Sequence, residues 1–286
     1  MIVVRITGGL GNQLFQYALG RTLALRHGAP LLLDLSHYQE QGSDHTRRCC
    51  ELDAFATRWR EATPEEVRLF RTTRPQRLLE HIGIRGRYRT FHQHGFGFSP
   101  DVFGLRSPMY LQGTWQSERY FAEAANTLRA EIALARAFSA EAAELAGRMR
   151  STASVSVHVR RGDYASDPKT RSYHGLLEQT WYEAAMGSML EHVPDAHFFV
   201  FSDEPGWARE QFRSTAPITV LEPHSSPEDM ALMARCRHHI IANSSFSWWG
   251  AWLNPDTGKR VIAPRAWFSD PAIDTHDLLP PDWIRL

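Results

Sequence analysis

The sequence predicts two doubly wound α/β domains facing a cleft. Three observations carry that expectation: a strand–loop–helix–strand unit at the start, a regular alternation of short apolar strands and helices from Ser154 onward, and helices near residue 150 joining the two. The division is expected between residues 1–150 and 151–286.

Ile2–Ile6 reads as a short apolar strand that runs into Gly8-Gly9-Leu10-Gly11-Asn12. Leu14, Phe15, Ala18, Leu19, Thr22 and Leu23 then share one face at three-and-four spacing, which predicts a helix. Gly28 is placed to end it and Pro30 blocks its continuation. Leu31–Leu33 is the second buried strand, and strands joined through a helix lie parallel. Between Gln39 and Met109 only a helix at Pro64–Phe70 has a readable pattern, beside the basic segment Arg85-Gly86-Arg87-Tyr88-Arg89. Helices are expected over residues 122–138 and again after Ser139, where Glu141 and Glu144 complete a start signal. Strands at Ser154–Val159, His197–Phe201, Ile218–Leu221, His239–Ala242 and Val261–Ala263 follow. Between them lie a polar loop and helices near Trp181–Leu190, Trp207–Phe212, Pro227–Arg235 and Trp248–Leu253.

Of the 286 residues 43% are hydrophobic and 22% charged, the composition of a folded chain. Lys+Arg 32 balances Asp+Glu 32, which argues against a general nucleic-acid binder while leaving room for a local basic anion site. Cys49, Cys50 and Cys236 imply no disulfide framework and fit a reducing compartment. The N-terminus lacks the regions of a signal peptide, and no apolar run approaches the ~20 residues that span a bilayer. A cytoplasmic location is expected.

In open parallel sheets ligands bind at the carboxyl ends of the strands. Those ends carry Gly8–Gln13, then His158-Val159-Arg160-Arg161-Gly162-Asp163, Ser202-Asp203-Glu204, and Asn243-Ser244-Ser245. Glycines, arginines, acids and hydroxyls on one rim suit a phosphorylated ligand, because guanidinium forks, hydroxyls and helix-start amides all donate to phosphate oxygens. The loop around Gly9 and Gly11 lacks the third glycine of a dinucleotide fingerprint and the Lys-Ser/Thr of a P-loop, which disfavours a nicotinamide-dependent oxidoreductase. It is either a bare turn or a ligand loop with the Asn12 and Gln13 amides as donors. By strand alternation His158 and Arg160 share a face and converge on one ligand, whereas Arg161 points away. Asp163 either orients an arginine or acts as a base. Asp203 either caps the next helix or serves the site. The segment is no Asp-x-Asp motif, and His27, His81, His92, His94, His238 and His239 show no ligand spacing, so no metal is expected. At least two of Trp248, Trp249 and Trp252 read as core, and Trp115, Trp207 and Trp267 as structural.

GGLGNQLFQYA, HVRRGDY, FSDE, IIANSSFSWWGAWLN and LPPDWIRL occur in this order. On these segments the chain resembles the bacterial α-1,2-fucosyltransferases of glycosyltransferase family 11 over essentially its whole length. The resemblance implies a GT-B-like fold of two Rossmann-type domains, the first binding an acceptor and the second GDP-L-fucose. It implies inversion at the anomeric carbon with no metal or other cofactor. Arg160, with His158 beside it, falls on the arginine that binds the donor's β-phosphate. Asn12, in its loop with Gly9, Gly11 and Gln13, falls near the diphosphate. Asp229 matches the acid that reads guanine or ribose, with Asp203 the second acidic match. Ser244 and Ser245 match the phosphate-binding hydroxyls, flanked by Asn243 and Phe246. The implied acceptor is a galactose-terminated oligosaccharide or lipid-linked glycan, fucosylated at its 2-hydroxyl, with at most peripheral contact at the inner face of a membrane. The chain departs from the family pattern at Tyr173-His174-Gly175-Leu176, a region expected to touch the acceptor. Two alternatives are a transferase of the same fold using another GDP-6-deoxysugar such as colitose, and a non-catalytic nucleotide- or glycan-binding protein.

Overall fold

The computed structural model describes residues 1–39, 48–70 and 89–286. His81 and the segment Arg85-Gly86-Arg87-Tyr88 lie outside the described residues. Two compact units form, Met1–Glu131 with Thr275–Leu278, and Ile132–Asp274 with Leu279–Leu286.

In the first unit, β1 (Ile2–Arg5) leads through the glycine loop into α1 (Leu10–His27). Gly28 ends α1 with φ 55°, a left-handed conformation in which its N–H returns to Ala24 and Leu25 carbonyls. β2 (Leu31–Asp34), α2 (Ser36–Gln39), β3 (Arg60–Glu61), α3 (Pro64–Arg68), β4 (Arg89–His92), β5 (Met109–Gln112) and α4 (Ala125–Glu131) complete the unit. The helix expected at Pro64 forms because Thr63 and Glu66 close a capping box around its first turn. The sheet order is β3-β2-β1-β5-β4, every pairing parallel.

The second unit begins with α5 (Ala140–Ser151), capped by Ser139 Oγ accepting the Ala142 N–H at 3.3 Å. It continues as β6 (Ala153–Val159), α6 (Gly162–Ser166), α7 (Pro168–His174), α8 (Gln179–Leu190), β7 (Ala196–Ser202), α9 (Pro205–Gln211) and β8 (Ile218–Val220). Then come α10 (Ser226–Met233), β9 (His238–Ile240), α11 (Ser245–Leu253), β10 (Val261–Ala263) and β11 (Ile284–Arg285). The parallel order β11-β10-β9-β6-β7-β8, counted within the unit from β8, is 3-2-1-4-5-6. This is the doubly wound nucleotide-binding order, whose winding reverses between its first and fourth strands, here β6 and β9.

Both faces of this sheet are covered. Val155, Val157 and Val159 pack with Tyr182, Met186 and Met189 of α8, while Phe199 and Phe201 pack with Leu145, Met149, Leu232 and Met233 of α5 and α10. Ser154 and Ser156, on the polar alternation of β6, are therefore buried as well. They are satisfied by the Met149 carbonyl at 2.7 Å and by His239 Nδ1 at 2.8 Å.

Two expectations are corrected. The units divide after Glu131, not at residue 150, because Ala142, Leu145, Ala146 and Met149 bury α5 against the second sheet. The helix expected over residues 122–138 is helical by α-type bonding only over Ala125–Glu131. Its last residue turns inward, where the Glu131 carboxylate meets Tyr17 Oη at 2.5 Å and the Arg21 guanidinium at 2.7 Å.

Candidate functional site

The reversal between β6 and β9 selects the carboxyl ends of these two strands as the place where departing segments diverge and a ligand fits. Arg160 and Arg161 follow β6 there, Asn243 and Ser244 lie between β9 and α11, and Ser245 opens α11.

Asp203 organises the arginine pair. Its Oδ2 lies 3.0 Å from Arg160 Nη1 and its Oδ1 accepts the Arg161 N–H at 2.9 Å. Gly162 passes so close that a Cβ there would sit 2.7 Å from Asp203 Oδ2. Asp203 is thus a clamp on the loop after β6 and not the cap of α9; Ser202 Oγ instead accepts the Glu204 N–H at 2.9 Å. The Arg160 guanidinium also lies 5.6 Å from the centre of the Tyr164 ring. Arg161 leaves in another direction, pairing with Glu204 at 3.1 Å and lying over Trp207 at 4.1 Å. Asp163 belongs to α6, and its side chain lies outside the described residues.

His158 is enclosed, 6% exposed, its ring 5.5 Å from that of Phe246. Burial, reinforced by the Arg160 charge, pushes its pKa down to about 3, so the imidazole is neutral near pH 7. Ser244 caps α11, its Oγ accepting the Phe246 N–H at 3.3 Å, and Ser245 opens the helix. Asn243 is buried and donates its amide to the His174 carbonyl at 2.7 Å and the Trp267 carbonyl at 3.3 Å. It ties α7 to this rim, where Tyr164 stacks on His174 with ring centres 4.6 Å apart. Asp229, in the first turn of α10, accepts the His224 N–H and lies 3.1 Å from His224 Nδ1. Burial raises its pKa against the lowering effect of those bonds. Trp248, Trp249 and Trp252 are buried, as expected of core residues.

The predicted residues of the first unit gather at the ends of β1 and β5. Gly8 takes φ +76°, and Gly9 is the N-cap of α1 with no side chain to satisfy it. A Cβ on Gly9 would overlap the Arg48 guanidinium. Gly11 lies in the first turn of α1. Gln13 is fully buried: its Nε2 donates to the Gly8 and Cys49 carbonyls at 3.1 and 2.8 Å, and its Oε1 accepts the Glu51 N–H. Asn12 is half-buried, with Oδ1 accepting from Gln116 Nε2 at 2.9 Å.

Residues 81–286 match the family described as Glycosyl transferase family 11. An α-1,2-colitosyltransferase of Escherichia coli is 34% identical over 292 aligned positions, covering 100% of this chain and 99% of that protein. The chain belongs to glycosyl transferase family 11. Within the family it is also similar to the O-antigen biosynthesis glycosyltransferase WbnK of Escherichia coli, 29% identical over 98% of this chain and 99% of that protein. A galactoside α-(1,2)-fucosyltransferase 1 of Plecturocebus brunneus is 28% identical over 65% of this chain and 53% of its own length. Among solved structures, a variant of Arabidopsis thaliana FUT1 in complex with GDP superposes with TM-score 0.52 at 12% identity. It covers 92% of this chain and 69% of that chain, a likeness of fold. Two parallel sheets in an α/β, GT-B-like class are thus the architecture of this family member.

Sequence reasoning about this glycosyltransferase missed Arg48, Tyr164 and Gln116. Arg48 and Gln116 carry no motif, and only the tertiary fold brings them beside the glycine loop. The loop itself is sterically exacting. Gly8→Ala must adopt φ +76° and place a Cβ 2.7 Å from Asn12 Nδ2. Gly28→Ala meets φ +55° alone, with nothing within 4 Å of the added carbon. Gly28→Ala is expected to lose about 1–2 kcal/mol and Gly8→Ala more than that. Urea denaturation of the two variants checks the order; equal losses would contradict the crowding at Gly8.

Proposed function

We propose that this glycosyltransferase moves L-fucose from GDP-L-fucose to the 2-hydroxyl of a terminal galactose in a glycan, with inversion and without a metal. The observation that carries the reading is Arg160, clamped by Asp203 at the switch point of a nucleotide-binding sheet, with the Ser244 and Ser245 segment on the adjoining strand end.

As GDP departs, negative charge grows on its diphosphate and positive charge on the sugar. A guanidinium fixed in advance compensates the first without reorganising at the moment of reaction. The helix-start amides of α11 and the hydroxyls of Ser244 and Ser245 add donors. Asp229, with Phe246 beside the serines, is assigned to the nucleoside. The acceptor hydroxyl must also lose a proton, and Asp163, three positions after Arg160, is the proposed base. His158 stays neutral and supports the floor of the site. The second unit is read as the GDP-sugar-binding part and the first as acceptor-binding.

The acceptor is read as an oligosaccharide or lipid-linked glycan of a surface polysaccharide, in line with the O-antigen role printed for WbnK. Among the described residues no helix is long and apolar enough to cross a membrane, and at most peripheral contact at a cytoplasmic membrane face is proposed. The printed colitosyltransferase relative favours a second reading, GDP-colitose as donor. Colitose is fucose without its 3-hydroxyl, and a site built to hydrogen-bond that group rejects the deoxy sugar by up to about 10⁴-fold.

The test is transfer to lactose from each GDP-sugar, with and without EDTA, with the product linkage read by NMR. The reading predicts a 2-linked galactose product, EDTA-insensitive, with a higher kcat/KM for GDP-L-fucose. A preference for GDP-colitose would establish the second reading, and GDP binding without any transfer would leave a binding protein.

A further inference from the structure

Arg160 has an aromatic neighbour as well as an acidic one. Asp203 Oδ2 fixes one end of its guanidinium, 3.0 Å from Nη1. The central carbon of the same guanidinium lies 5.6 Å from the centre of the Tyr164 ring. That is within the ~6 Å over which a cation is attracted to the electron-rich face of an aromatic ring. An ion pair alone lets a long side chain turn about its contact, and a second contact on the cation removes that freedom. Both neighbours come from the second unit, as does every residue that holds them.

The Tyr164 ring is itself immobilised. It is buried and stacks on His174, with ring centres 4.6 Å apart and planes 9° apart. His174 is the last residue of α7, and that end is pinned from two sides. The His174 carbonyl accepts Asn243 Nδ2 at 2.7 Å, and the Tyr173 carbonyl accepts the Ser269 N–H at 3.0 Å. Tyr164 Oη donates to the Asn243 carbonyl at 3.4 Å. Asn243, expected from the sequence to flank the ligand, thus spends its amide on the backbone, with a further bond to the Trp267 carbonyl at 3.3 Å. The segment that leaves β6 after Arg160 is tied back in this way to the end of β9, the other strand of the switch point.

We propose that Tyr164 is a positioning residue for Arg160: its ring, fixed by His174 and Asn243, holds the guanidinium that Asp203 pairs, so that the cation is in place before a diphosphate arrives. The inference rests on the nucleotide-sugar reading above, in which Arg160 meets the diphosphate, and adds to it a residue that preorganises this contact. Tyr164 acts through Arg160 and not on the ligand. The working part is the negative face of the ring. The hydroxyl, 3.4 Å from its acceptor, contributes little.

The experiment is calorimetric titration of GDP and of guanosine into the wild type, Tyr164→Phe, Tyr164→Leu, Arg160→Ala and the Arg160→Ala/Tyr164→Leu double variant. A second series places phenylalanine with one, two and three ring fluorines at position 164, which nearly keeps the shape of the ring and draws charge off its face. Thermal unfolding of each identifies any that fails to fold. The trifluorinated variant, with its own Arg160→Ala double, replaces Tyr164→Leu if that one does. GDP affinity should fall about three- to tenfold in Tyr164→Leu, as expected for the loss of a cation–π contact, and Tyr164→Phe should keep most of it. Each added fluorine should weaken GDP further. Guanosine affinity should not change, and Tyr164→Leu should cost nothing further in the Arg160→Ala background. A flat fluorine series, losses that multiply in the double variant, or losses that fall equally on guanosine would overturn the role of Tyr164 alone. A wild type that does not bind GDP, or Arg160→Ala binding it unchanged, would remove the nucleotide-sugar reading and this inference with it.

Discussion

Arg160→Ala should lower turnover by about 10²–10³-fold, the usual cost of one preorganised donor to transition-state charge. Its neighbours make the loss severe. Removing the guanidinium deletes a cation and also leaves the Asp203 carboxylate, still holding the Arg161 N–H through Oδ1 but without its charged partner at Oδ2, as an anion beside the proposed diphosphate. Arg160→Ala/Asp203→Asn should therefore recover part of the activity that Arg160→Ala loses. Arg160→Lys should rescue poorly, because an ammonium lacks the planar fork that serves a carboxylate and a phosphate together. The Arg160 side chain is 28% exposed, so thermal unfolding should move little compared with kcat. Near-wild-type kcat/KM in Arg160→Ala would sink the assignment.

Acid should destabilise the protein well above the range in which carboxylates titrate. His158 and His239 are both buried and neutral, the first with its pKa near 3 and the second held well below the usual value by burial and by Lys259 and His238. The His239 tautomer is fixed. Asn254 Nδ2 donates to Nε2 at 3.0 Å, so Nδ1 carries the hydrogen and donates to Ser156 Oγ at 2.8 Å. A folded-state pKa depressed below the unfolded value near 6.5 means that the unfolded chain binds the extra proton. Stability is then fully present above about pH 6.5 and is lost as pH falls, at ~1.4 kcal/mol per pH unit for each histidine. By pH 5 His158 alone should remove about 2 kcal/mol, and the lowered pKa of His239 adds to the loss in the same direction. Urea unfolding between pH 7.5 and 5 should show this decline, with about one proton taken up on unfolding through His158 and further uptake through His239. A flat profile would contradict the burial of both rings.

Most of the second sheet was legible in the sequence because its strands are continuous apolar runs punctuated by polar ends. β6, β7 and β10 lie within a residue or so of their expected bounds. The rim was legible for the same reason, since a parallel sheet delivers its strand ends to one side. What escaped was local structure without apolar periodicity. α6 and α7 were read as a polar loop because Asp167 starts α7 through side-chain bonds to the Lys169 and Thr170 amides, with no buried face to betray it. β3 and β11, two residues each, lack the length to show a pattern. The expected helix over residues 122–138 failed for the opposite reason. Its apolar spacing runs on through Ile132 and Leu134, but the inward-facing Glu131 ends it.

At the site, residue types were readable and assignments were not. Asp203 looks like a helix cap in one dimension and is a clamp on Arg160 and Arg161 in three. Gln13 looks like a ligand amide and is consumed by the backbone of its own loop. His158 belongs to the arginine motif, yet its ring is sealed against Phe246.

The central claim is that the diphosphate of a GDP-sugar is held where β6 and β9 part. The most direct measurement is a crystal structure of the protein with GDP, grown in EDTA. The account predicts phosphate oxygens within hydrogen-bond distance of Arg160 and of Ser244 or Ser245, with Asp203 still bonded to Arg160. A diphosphate bound away from the β6 and β9 ends, or ordered only when a divalent cation is added, would contradict it.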